Sequence, residues 1–115
     1  EAHHRFKKDA PSGSAMTLAE KIAAATGRKF PECLDMSRSG KECLRKKGSI
    51  GMQALRLGDT VGEHSVMFGT IGETITISHS AHSRDTFAAG AVRAAAWLAG
   101  KKPARYTMAD VLGLK

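Results

Sequence analysis

The chain is short of the residues that staple, stack or span. It holds two cysteines, Cys33 and Cys43, with nine residues between them in one polar stretch. That is too few for a disulfide framework and the wrong spacing for a CxxC site. Reduced thiols of a cytoplasmic protein are expected. Four Phe, one Tyr and one Trp are scattered without pattern, which leaves nucleic-acid binding without the interleaved aromatics or recognition motif it needs. No run approaches the roughly 20 apolar residues that cross a bilayer. The longest weakly polar stretch, Thr86 to Gly100, is alanine-rich and contains Arg93. No GxGxxG turn follows a strand, so a dinucleotide-binding domain is not expected here. The chain opens on Glu1-Ala2-His3-His4 without an initiating Met or a basic-then-apolar leader, and reads as a piece of a longer polypeptide.

What is present is sufficient for one ordinary domain: 115 residues, 42% apolar and 25% charged, enough to bury a core. Eighteen Lys and Arg oppose 11 Asp and Glu, for a formal charge of +7. Such an excess draws anions: nucleic acid, a membrane surface, or small carboxylates and phosphates.

Hydrophobic spacing orders the elements. Glu1 to His4 ends a strand, and a charged loop follows from Arg5 to the turn string Asp9-Ala10-Pro11-Ser12-Gly13. From Ser14 to Thr26 apolar residues recur at three and four positions, with Ser12 or Ser14 as N-cap and Gly27 as the stop. Arg28 to Lys47 carries seven basic and three acidic residues and no hydrophobic face; a long mobile loop without regular elements is expected. The period then becomes two. Ser49–Leu57, Gly62–Phe68 and Glu73–His79 are expected to form three adjacent antiparallel strands. The face bearing Ser65, Met67, Thr74, Thr76 and Ser78 is only half polar, which suits either a wet surface or a partner subunit. Arg84 to Gly100 returns to helical spacing, and Thr107 to Asp110 forms a capping box before a short last turn. The fold class is α+β: an open mixed or antiparallel sheet of about four strands, two main helices and a long loop.

The densest chemistry lies at the start. His3, His4, Arg5, Lys7 and Lys8 precede a Pro-Ser-Gly turn that leads into a helix. A helix N-terminus exposes unpaired N–H groups and partial positive charge, and Gly13-Ser14 permits close approach plus one hydroxyl. A carboxylate fits there, with Lys7 as a second positive pole and a histidine as proton source. A solvated basic loop with a helix cap is the plain alternative. Metal is set aside, because adjacent strand histidines point to opposite faces and no third ligand is near in sequence. Glu63 and His64 suit structural hydrogen bonds, His79 and His82 the surface, and Trp97 packing.

The string Glu1-Ala2-His3-His4-Arg5-Phe6-Lys7-Lys8-Asp9-Ala10-Pro11-Ser12-Gly13-Ser14-Ala15 resembles the signature of dihydrodipicolinate reductases, E-x-H-H-x-x-K-x-D-x-P-S-G-T-A. Three further blocks are similar to that family in the same order: Gly58 to His64, His79 to Ala91, and Met108 to Leu112. Ser14 stands where Thr is commoner and keeps the hydroxyl; Phe6 stands where His is frequent.

The resemblance implies a nicotinamide-dependent oxidoreductase of lysine and diaminopimelate synthesis that reduces a cyclic dicarboxylate. By position, His3 and Lys7 would be catalytic, and His4, Gly13, Ser14 and Arg84 substrate-binding. NADPH or NADH would be held mainly by a nucleotide-binding domain outside this chain, without which the chain is expected to be inactive. Residues 1–83 would form the substrate-binding sheet region and 84–115 a helical return segment, with an apolar stripe on Phe87, Ala91 and Leu98. A homotetramer built through the sheet is implied, with no nucleic acid or membrane as partner. The alternative is a stand-alone basic domain binding anions or nucleic acid.

Overall fold

In the computed structural model, residues 1–36 and 38–114 are described. The chain divides into two compact units, Glu1–His82 and Ser83–Lys115.

The first unit holds a four-stranded sheet, in the order Leu55–Arg56, Ala2–His3, Gly62–Thr70, Glu73–Ala81. Its strands are β1 (Ala2–His3), β4 (Leu55–Arg56), β5 (Gly62–Thr70) and β6 (Glu73–Ala81). β1 runs parallel to β4 and antiparallel to β5, and β5 and β6 form a hairpin from Gly62↔Ala81 to Thr70↔Glu73. Its turn, Ile71-Gly72, needs positive φ at Gly72 (φ 87°). The mixed α+β class is as expected, but the strand neighbours differ. β1 slides between the first and second strands of the expected meander, so β4 does not pair with β5.

Two further expectations are corrected. Ser49–Leu57 is not one strand. It splits into β3 (Ile50–Gly51) and β4, which serve different sheets. The loop from 28 to 47 does carry an element, β2 (Leu34–Asp35), paired in parallel with β3. A two-residue strand has no period to read; the ladder bonds Ile50 N to Cys33 O at 2.8 Å and Met52 N to Asp35 O at 2.9 Å define it.

The helix α1 (Gly13–Ala25) starts where the turn string predicts, with Ser12 as N-cap: Ala15 N donates to Ser12 Oγ at 3.2 Å. It buries Ala15, Ala19 and Ala23, one face at four-residue spacing. With Ala2 and Ala81 these form the buried apolar core among the described residues. Larger apolar side chains stay uncovered. Phe68, Ile75 and Ile77 lie on one face of the hairpin, as the pairings Phe68↔Ile75 and Val66↔Ile77 require, and are 41%, 59% and 65% exposed. The opposite face is hydroxylated, with Ser65 and Ser78 Oγ atoms 2.9 Å apart and Ser80 donating to Glu63 at 3.1 Å.

The second unit consists of α2 (Asp85–Leu98) and α3 (Met108–Leu112). Trp97 stacks edge-on against Tyr106, with the Lys101 ammonium 4.3 Å from its ring centre. Its role is packing, as expected. The capping box forms: the Asp110 carboxylate accepts from Thr107 N at 2.7 Å. No residue of α2 is buried, and Phe87, Val92 and Leu98 are exposed.

Candidate functional site

The site grows from the carboxylate of Glu1. On β1 and its flank, residues two apart share a face, which puts Glu1 beside His3; Glu1 Oε2 and His3 Nδ1 are hydrogen-bonded. Arg56, alongside on β4, forks onto the same carboxylate, Nη1 to Oε2 at 3.0 Å and Nη2 to Oε1 at 2.9 Å. Ser12 N adds a longer bond to Oε1 at 3.3 Å. The Glu1 side chain is 1% exposed and that of His3 12%. Burial alone would push the Glu1 carboxyl up. Hydrogen bonds from Arg56 and His3, and their charges, overcome this and hold its pKa at about 2 against an ordinary 4.5. Glu1 is therefore an anion at neutral pH and only accepts, so His3 Nδ1 carries the proton it donates.

Arg56 also reaches into the charged loop, where Nη2 donates to Asp9 O at 2.6 Å. Arg5 closes the loop from the other side, through Gly58 O at 3.1 Å and an ion pair with Asp59. Within it, Lys7 Nζ bridges both Asp9 oxygens at 2.8 and 2.9 Å. That bond, with the loop's other charges, holds the Asp9 carboxyl below the usual range. His4 is half-buried at the loop's start, and its carbonyl accepts from Lys7 N at 3.1 Å.

His64 of β5 completes the group. Its ring meets that of His3 edge to face with centroids 5.2 Å apart, and Nε2 shares a hydrogen bond with Ser12 Oγ at 3.0 Å. Loss of water, then the neighbouring His3, lowers its pKa, so the ring stays neutral at pH 7.

His3, Ser12 and the Gly13-Ser14 start of α1 are thus joined by two successive hydrogen bonds through Glu1. His4 and Lys7 belong to the loop that Arg56 fastens to this hub. Arg84 belongs to the chain's second unit, at the N-cap of α2. A groove of about 730 Å³ runs between α1 (Leu18, Ile22), Met52 and the β5 residues Val66 and Phe68. Glu1 and His64 line it, whereas His3, Lys7, Gly13 and Ser14 do not, so the chemistry lies beside the groove.

Sequence reasoning missed Glu1 and Arg56. Glu1 left a signal, because it stands two residues before His3 on a strand end. Arg56 left none: a lone Arg between two leucines reads as a solvent-facing strand residue, and only the parallel pairing of β1 and β4 puts it on Glu1.

The chain matches the family model described as dihydrodipicolinate reductase, C-terminus, over residues 1–112. It is 58% identical over 115 residues to a 4-hydroxy-tetrahydrodipicolinate reductase of Hahella chejuensis, covering 100% of this chain and 43% of that protein. Proteins of the same name from Alkalilimnicola ehrlichii and Syntrophus aciditrophicus are each 52% identical, over 99% and 100% of this chain. This chain spans 43% of each relative's length. With a match from its first residue to Leu112, the chain belongs to the dihydrodipicolinate reductase C-terminal family.

Proposed function

We propose that the chain is the substrate-binding and catalytic region of a 4-hydroxy-tetrahydrodipicolinate reductase, acting in lysine and diaminopimelate synthesis. The observation that carries this is the Ser12–Glu1–His3 path, which ties a proton-exchanging imidazole to the anion-accepting start of α1.

The substrate is a cyclic dicarboxylate, and its two charges need two poles. The first N–H groups of α1 at Gly13 and Ser14, with the Ser14 hydroxyl, take one carboxylate. Lys7 draws the other, exchanging Asp9 for the ligand. His4 flanks the ring. His3 moves the proton through Nε2, because Nδ1 is committed to Glu1. Lys7 supports the reaction by charge and serves as a further proton donor.

NADPH or NADH supplies the hydride when bound. This chain has no glycine-rich strand-to-helix turn to hold a pyrophosphate, so cofactor binding is assigned to the further length the relatives carry. Residues 1–83 serve substrate binding, and 84–115 pack on that nucleotide-binding part, which would cover Phe87 and Leu98. The exposed Phe68, Ile75 and Ile77 of the hairpin fit a homotetramer assembled through the sheet. The protein acts in the cytoplasm.

Two measurements test this. Calorimetry with pyridine-2,6-dicarboxylate, a planar substrate mimic, is expected to show weak binding to this chain that Lys7→Ala removes. Replacing the matching residues of the Hahella chejuensis relative with this chain is expected to retain nicotinamide-dependent reduction. A folded chain with no affinity, together with a dead hybrid, would refute the assignment.

A further inference from the structure

We propose that Glu1, Arg56 and Gly62 are positioning residues that together fix which nitrogen of His3 exchanges the proton. The proposal rests on the reductase reading and deepens it. Glu1 is the hub of four hydrogen bonds: one from His3 Nδ1, two from Arg56 and one from Ser12 N. A carboxylate accepts only, so His3 keeps its neutral-state proton on Nδ1 and presents a bare Nε2. In an unconstrained histidine side chain the Nε2–H tautomer is the commoner, and the buried carboxylate reverses that preference.

Arg56 has a separate task. An uncompensated anion beside an anionic substrate would repel it, and the bidentate guanidinium cancels that charge while holding both oxygens in one plane.

Gly62 acts by what it lacks. A Cβ built there would stand 3.2 Å from His3 Nε2 and 3.5 Å from Cδ2. Gly62 does not have the positive φ that would demand glycine for backbone reasons, so space is the constraint. The bare edge of the ring lies over this gap, and Nε2 has no hydrogen-bond partner among the described residues. One nitrogen is pinned and the other is kept clear.

The test has two arms. In this 115-residue chain with ¹⁵N-labelled histidine, His3 at high pH is expected to show a protonated Nδ1 and an imine-type Nε2, and Glu1→Gln to shift it toward the Nε2–H tautomer. In the Hahella chejuensis hybrid, Glu1→Gln and Gly62→Ala are each expected to lower kcat at least ten-fold while KM changes less than two-fold. Arg56→Lys, which keeps the charge, is expected to raise KM less than Arg56→Met. An active hybrid in which Gly62→Ala keeps full kcat, or a His3 tautomer indifferent to Glu1→Gln, overturns the proposal. Gly62→Ala leaves the ion pair untouched and reads the idea even if Glu1→Gln fails to fold. Should the unmodified hybrid be inactive and the chain not bind the dicarboxylate, the reductase reading fails instead, and the tautomer arm still reports what Glu1 does to His3.

Discussion

Ser12 Oγ accepts from Ala15 N at 3.2 Å and shares a second hydrogen bond with His64 Nε2 at 3.0 Å, so one buried hydroxyl closes the first turn of α1 and ties it to β5. Ser12→Ala removes both at once. The expected loss is about 1–3 kcal/mol of unfolding free energy, a helix cap plus a stranded partner. Urea denaturation measures it. A midpoint equal to wild type would show that the cap contributes nothing to the fold.

The ion pair between Glu1 and Arg56 predicts asymmetric damage. Arg56→Met leaves a buried carboxylate without its counter-charge and is expected to cost about 3 kcal/mol. Adding Glu1→Gln to Arg56→Met is expected to recover part of that loss, because the stranded charge disappears. A double-mutant cycle supplies the number; additive single effects would contradict the coupling.

Acid sensitivity follows from the same carboxylate. Glu1 titrates near 4.5 in an unfolded chain but at about 2 in the folded one. Between those values the unfolded state binds a proton the folded state does not. The stabilisation is complete above pH 4.5 and is lost as pH falls toward 2. His64 adds an earlier decline: its pKa is lowered from 6.5, so acidification below that value also favours unfolding. Urea midpoints measured from pH 8 to pH 3 are expected to fall in both windows. Glu1→Gln is expected to flatten the lower one, and His64→Gln the upper one.

The hairpin's apolar face predicts assembly. Ile75 and Ile77 stand on one face and are both more than half exposed. On the proposed tetramer reading, Ile77→Glu is expected to lower the sedimentation coefficient relative to the parent chain without changing its far-ultraviolet circular dichroism. A mutant that sediments like the parent would remove this face from the interface.

Much of the architecture was legible from residue order. The turn string ending in Ser12-Gly13 and the alanines at four-residue spacing define α1, because capping and helical period are local properties. The hairpin of β5 and β6 is readable for the same reason: the period of two over Glu73–His79, with the weaker one over Gly62–Phe68, falls inside strands of nine residues each. β2, β3 and β4 escape such reading, since two residues carry no period, and pairing partners far along the chain decide them. Of the site, the signature around His3, Lys7 and Gly13-Ser14 was visible as a motif. The Glu1–Arg56 pairing that organises it was not.

Sequence alone determined the family, the helices, the long hairpin and the clustering of cations before a helix start, all of which are written in neighbouring residues. Tertiary structure alone decided that Arg56 lies against Glu1 across 55 positions, that His64 reaches Ser12, and that the space above Gly62 falls at His3 Nε2. Those relationships depend on β1 slipping between β4 and β5, a choice made by hydrogen bonding between distant strands, for which no local pattern exists.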